Sequence, residues 1–134
     1  MGIHFQPLTR VEELLARAYN RPTDAHAYAA FVAALMGSFV GALGTMQPHG
    51  FQPLVLSPTG VDGVCAFTHP VRHDTFTNEL MLPAPGWQVR SERVAELFAW
   101  ANANRLAVLL NPGSEYHQEF VPFELDRLLR GQWV

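Results

Sequence analysis

Val11, Leu14, Leu15 and Ala18 fall at i, i+3, i+4 and i+7, a stripe of helical period that stops before Asn20-Arg21-Pro22. Ahead of it, Thr9-x-x-Glu12 has the form of a capping box, in which hydroxyl and carboxylate satisfy amide hydrogens left free at a helix start. A second helix is expected from about Asp24, with Tyr28, Phe31, Val32, Leu35 and Met36 on one face and alanines around much of the rest. Such a helix should be almost wholly buried. After Gly37 the pattern changes to that of strands, at Ser38 to Leu43, Leu54 to Leu56 and Val64 to Phe67. The turn-rich link Ser57 to Gly63 predicts that the last two form a β-hairpin.

The stretch from Thr68 to Trp87 contains Pro70, Pro83 and Pro85 among polar residues and reads as loop, with one short strand around Leu80 to Leu82. Ser91 is placed to cap a third helix carrying Val94, Leu97, Phe98 and Ala101, and Leu106 to Leu110 follows as a buried strand. Asn111-Pro112-Gly113 ends that strand. Pro122 sits where a first helical turn accepts proline, Leu125, Leu128 and Leu129 form the inward face, and Gly131 is the stop. The sum is a single α+β domain over 1–134, with a mixed sheet of about five strands packed with about four helices.

Composition narrows the picture. Of 134 residues 49% are apolar and only 16% charged, so the surface carries few charges and suits a partner. Net charge is −3 and every cation is arginine, a choice that matches a GC-rich genome. A nucleic-acid binder would need a basic face to neutralise phosphates, and none is expected here. Tyr28 to Gly44 has no charge and approaches the length of a membrane span. Its glycines and its change of period argue for a buried helix followed by a strand, so no membrane association is expected. The segment MGIHFQPLTRVEELL lacks the basic head and unbroken apolar core of a secretory signal, and one cysteine, Cys65, permits no intrachain disulfide. A reducing, cytoplasmic location fits best.

Candidate chemistry is sparse. Ser114 follows a tight turn after a buried strand, but Asn-Pro-Gly-Ser is not the Gly-x-Ser-x-Gly elbow, and His117 is too near in sequence to be aimed back at it. Each residue of that turn has a backbone reason to be there. His69, His73 and Asp74 offer imidazole and carboxylate groups, but Pro70 makes an ordinary helix across the two histidines doubtful, and a surface loop is the simpler reading. Cys65 lies in a strand where a small apolar residue belongs. The acidic residues Glu115, Glu119, Glu124 and Asp126 gather near the last helix start, where they favour its dipole and would also suit a cationic partner. Neither a metal nor a cofactor is expected.

The run Leu109-Leu110-Asn111-Pro112-Gly113-Ser114-Glu115-Tyr116, with Phe120-Val121-Pro122 and Leu128-Leu129-Arg130-Gly131, resembles the N-terminal domain of the SseB family of bacterial proteins. Phe67-Thr68-His69-Pro70 is similar to that family's Phe-Thr-Ser-Pro loop, with His69 in place of the serine, and the likeness covers nearly the whole chain. Longer members carry a second domain beyond this one. The resemblance implies a fold but no catalytic residues. It also implies, by genomic analogy, a small protein encoded beside a secreted toxin, and fold alone does not fix function.

The expectation is therefore a non-enzymatic, protein-binding module, an immunity or adaptor protein whose partner could be a cognate toxin. Its contacts are expected from two loops: His69, Arg72, His73 and Asp74 in one, and Ser114, Glu115 and Tyr116 in the other. The alternative is a small-molecule sensor or carrier linked to amino-acid metabolism, with a cleft at those loops. A hydrolase or metalloenzyme ranks third. Oligomeric state is left open.

Overall fold

A computed structural model describes residues 6–133; residues 1–5, the head of the segment read for a secretory signal, and Val134 lie outside the described residues. The chain runs α1 (Arg10–Asn20), α2 (Ala25–Met36), β1 (Phe39–Gln47), β2 (Gly50–Pro53), β3 (Val55–Leu56), β4 (Gly63–Phe67), α3 (Pro70–Glu79), β5 (Trp87–Arg93), α4 (Val94–Ala103), β6 (Ala107–Leu110), β7 (Gln118–Phe120) and α5 (Pro122–Leu129). This is an α+β domain with five helices and a mixed seven-stranded sheet among the described residues.

The α1 cap forms as the sequence predicts at one end only: Thr9 Oγ1 accepts the Glu12 amide at 3.1 Å. The Glu12 carboxylate accepts the Leu8 amide at 2.8 Å, one residue before the cap, and its remaining bonds go elsewhere. Asp24 caps α2 through the His26 and Ala27 amides. Pro122 opens α5, and Gly131 follows it at φ +75°.

Alternation along the central strands divides the core in two. Val40, Ala42, Val64, Ala66, Val108 and Leu110 pack with α1, α2, α4 and α5, whereas Leu43, Cys65, Phe67, Ala107 and Leu109 pack with Phe76 of α3. Residues of β4 and β6 are therefore buried on both faces, which is why they read as unbroken apolar runs. These two strands are parallel; the other pairings are antiparallel.

β5 occupies one edge of β1, and the other edge is shared. Gly41 and Ala42 pair directly with Phe67 and Ala66 of β4. Beyond them the strands splay, and the β2–β3 segment enters the gap, bonding first to β1 and then to β4. Gly44 stands at this fork, where a side chain would run into the backbone of Gln52.

Three expectations change. Pro70–Glu79 is a helix, not a loop, because Pro70 takes its first position and His69 caps it, Nδ1 accepting the Val71 amide at 3.1 Å. Leu80 to Leu82 is not a strand. Ser91 lies in β5 rather than at a cap; this strand, with β2 and β7, brings the count above five. Its residues are mostly exposed, so the period that betrays a buried strand is missing.

Candidate functional site

Among the described residues four helices cover one face of the sheet, and α3 is the one helix on the other, covering part of it. Between α3 and the β1–β5 end this leaves an open groove of about 520 Å³. One wall is Phe39, Val89 and Ser91, with Gly41 between them; the other is the first turn of α3, with His69, Pro70, His73 and Asp74. Glycine keeps the floor low: a Cβ on Gly41 would come within 2.7 Å of Val89 Cγ1. Phe39 is 57% exposed, and Val71 and Val89 are also exposed, an apolar surface beside imidazoles and a carboxylate. The His73 ring meets Phe67 edge-on at 5.2 Å, and its buried Nε2 has no hydrogen-bond partner among the described residues.

Arg72, expected at this surface, points the other way. Its side chain is 7% exposed and grips the wholly buried Glu12 through Nε (2.9 Å) and Nη2 (2.6 Å), and Nη2 also donates to the Gln6 carbonyl. Thr68 donates its hydroxyl to Glu12 and in turn accepts from Asn111 Nδ2 at 2.9 Å. Asn111 Oδ1 accepts the Thr68 amide at 3.0 Å. Burial alone would raise the Glu12 pKa, but the bonds from Arg72, Thr68 and the Leu8 amide outweigh it and hold it below the usual carboxylate value. The network ties the start of α1, the β4–α3 junction and the end of β6 together. Helix geometry decides which way residue 72 points: with α3 formed, His73 lines the groove and Arg72 turns inward.

The second expected cluster forms a corner after β6. Asn111 (φ +51°) and Gly113 (φ +89°) turn the chain, and the Ser114 amide closes the turn on the Asn111 carbonyl. Ser114 is only 8% exposed and its buried hydroxyl has no partner among the described residues, so it is neither a surface contact nor an accessible nucleophile in this conformation. His117 Nδ1 donates to the Ser114 carbonyl at 3.0 Å rather than addressing its hydroxyl. Glu115 is exposed. Tyr116 leans on Tyr19 (centroids 5.0 Å apart) and accepts from Asn20 Nδ2, which docks the corner on the end of α1. The two expected clusters thus line different pockets; the Thr68–Asn111 bonds and the approach of Gly113 to Phe76 and Leu80 link their elements.

A second recess, of about 480 Å³, lies on the opposite face beside β5, where Phe51 and Trp100 stand with Glu92 and Glu96. Cys65 is fully buried, and burial pushes its thiol up to about 12. Tyr28 is also raised, by burial and by Glu124, to which it donates at 3.0 Å. Among the described residues no three His, Cys, Asp or Glu side chains gather to hold a metal ion, and no helix is long and apolar enough to cross a membrane.

Sequence reasoning missed Glu12, Thr68, Phe39 and Val89. Glu12 had a sufficient local role as a cap, and nothing in the spacing of residues 12, 68 and 72 announces their meeting. Compared with known proteins, the chain matches no family model, no curated protein and no solved structure.

Proposed function

We propose that the chain is a non-catalytic protein-binding module of SseB-like type, an immunity or adaptor protein that binds a partner such as a secreted toxin and neutralises or positions it. The observation that carries this reading is the groove, where exposed Phe39 and Val89 face His69, His73 and Asp74. An aromatic anchor beside a few polar groups is the composition of an interaction hot spot. Arg72, one of the charged side chains expected at this surface, is committed with Glu12 to holding α1 and α3 together. The resemblance of the Leu109–Tyr116 run to the SseB family supports the same reading, as does the low surface charge.

Co-expression with the product of the adjacent gene tests it. The expected result is a stoichiometric complex that protects cells from that product and is lost on Phe39→Glu. Failure to bind or protect would remove the immunity version.

The volume of the groove favours a second reading, a sensor or carrier of small molecules linked to amino-acid metabolism. A ligand that binds only the folded chain must raise its melting temperature. An amino-acid panel that produces such a shift, abolished by His73→Ala, would support it over the first.

A further inference from the structure

The outer edge of β5 has no strand beside it among the described residues, although β5 is seven residues long. Its hydrogen-bond phase follows from its pairing with β1. The Val94 amide donates to Ser38, and this register continues with residues 92, 90 and 88 bonded to β1. Residues 89, 91 and 93 therefore turn their backbone amides outward, while that of Trp87 is already used by the Ala84 carbonyl.

Charged residues on an edge usually discourage pairing. Here their signs matter. Arg90 and Glu92 stand on the α4 side of the strand, Arg90 over the Phe51 ring at 5.5 Å and Glu92 in the recess with Trp100. Neither has an ion-pair partner among the described residues. They flank Ser91 symmetrically. If β5 meets its own copy antiparallel with Ser91 opposite Ser91, Arg90 of each chain lies opposite Glu92 of the other, and both pairs are attractive. The same register lets the Ser91 pair exchange two backbone bonds and lets each Arg93 amide donate to Val89 of the other copy. A register centred on Val89 would need the occupied Trp87 amide and would set Arg90 against Gln88.

We infer that β5 is the interface of a two-fold homodimer, in which two copies join edge to edge through Ser91 and their sheets become one. The self-complementary signs at residues 90 and 92, and the outward phase of residue 91, commit the edge to a second copy of this chain. Helix α4 packs against α5, β6, α2 and β1 as well as against β5, on one face of the sheet. A two-fold axis perpendicular to the sheet sets the two Phe39–Val89 grooves side by side on one face. The inference is independent of what those grooves bind.

Sedimentation velocity on the full chain over a concentration series tests it. The wild type is expected to dimerise. Arg90→Glu and Glu92→Arg should each weaken the dimer roughly tenfold or more, because each sets two like-charged pairs across the axis. Mixed together, those two variants should form a heterodimer, since every 90–92 pair is then opposite in sign. Ser91→Pro should be monomeric with an unchanged melting profile at low concentration, because an outward amide of an edge strand can be lost without cost to the monomer. A wild type monomeric at high micromolar concentration would overturn the inference. So would a dimer indifferent to Ser91→Pro, or single variants that fail to restore each other.

Discussion

Asn111 and Cys65 show how differently two buried residues with polar atoms are held. Asn111 adopts φ +51°, which asparagine tolerates better than most residues, and uses both ends of its amide on Thr68. Asn111→Ala removes both bonds, leaves Thr68 under-satisfied and keeps the left-handed backbone. A loss of about 2–3 kcal/mol in urea unfolding is expected. Cys65 has no such bonds among the described residues, and burial raises its thiol to about 12, well above ordinary pH. Its reaction with a maleimide or disulfide reagent at pH 7.5 should therefore be negligible in the native state and become rapid in denaturant. Rapid native labelling would mean that the second core opens readily. In the sequence Cys65 was legible from its apolar neighbours. Asn111 was legible only as a turn residue, since its partner lies 43 positions away.

Elements were legible where the chain is half or wholly buried in a regular way. α2 formed with its expected face inward but is not almost wholly buried, since Ala25, His26, Ala30 and Ala33 are exposed and only Ala27, Phe31, Val32 and Leu35 are buried. The α1 stripe, the hairpin around Ser57 to Gly63 and the Leu106–Leu110 run took their expected form. α3 was not, because Pro70 reads as a breaker unless it is known to occupy a first turn, and its buried residues within Pro70–Glu79 are Arg72 and Phe76. β5 was missed for the opposite reason: an exposed edge strand imposes no apolar alternation. The fork between β1 and β4 was also invisible, though Gly44 marks it. Gly44→Ala would drive a methyl into the Gln52 backbone, and a destabilisation of about 1–3 kcal/mol is expected, measurable as a lower urea midpoint. Gly60, at φ +92° with open space around it, provides a contrast in which backbone strain alone acts.

Across the whole molecule, the Glu12–Arg72 pair joins segments 60 residues apart. Removing one partner leaves a buried charge, so Glu12→Gln or Arg72→Met should each cost about 3–5 kcal/mol, while the two substitutions combined should cost less than the sum. The folded-state pKa of Glu12 lies below its unfolded value, so its contribution is complete above the unfolded value of about 4.3. It is lost as pH falls through the folded-state pKa. Stability measured by urea unfolding should decline below about pH 4.5, and the decline should be shallower in Glu12→Gln. The candidate site was only half legible at this scale: His69, His73 and Asp74 do line a groove, whereas Phe39 and Val89 join them through sheet register that no local pattern encodes.

Uneven helix cover has a consequence for motion. α3 is fastened to its face mainly by Phe76 and by the arginine that reaches Glu12, whereas the opposite layer shares a large continuous core. Deuterium should therefore enter the amides of α3 through partial openings long before it enters those of β4 and β6, which require global unfolding. The groove wall that carries His73 would then be the part of the molecule that breathes, and Arg72→Met should speed that breathing more than it speeds exchange in the strands.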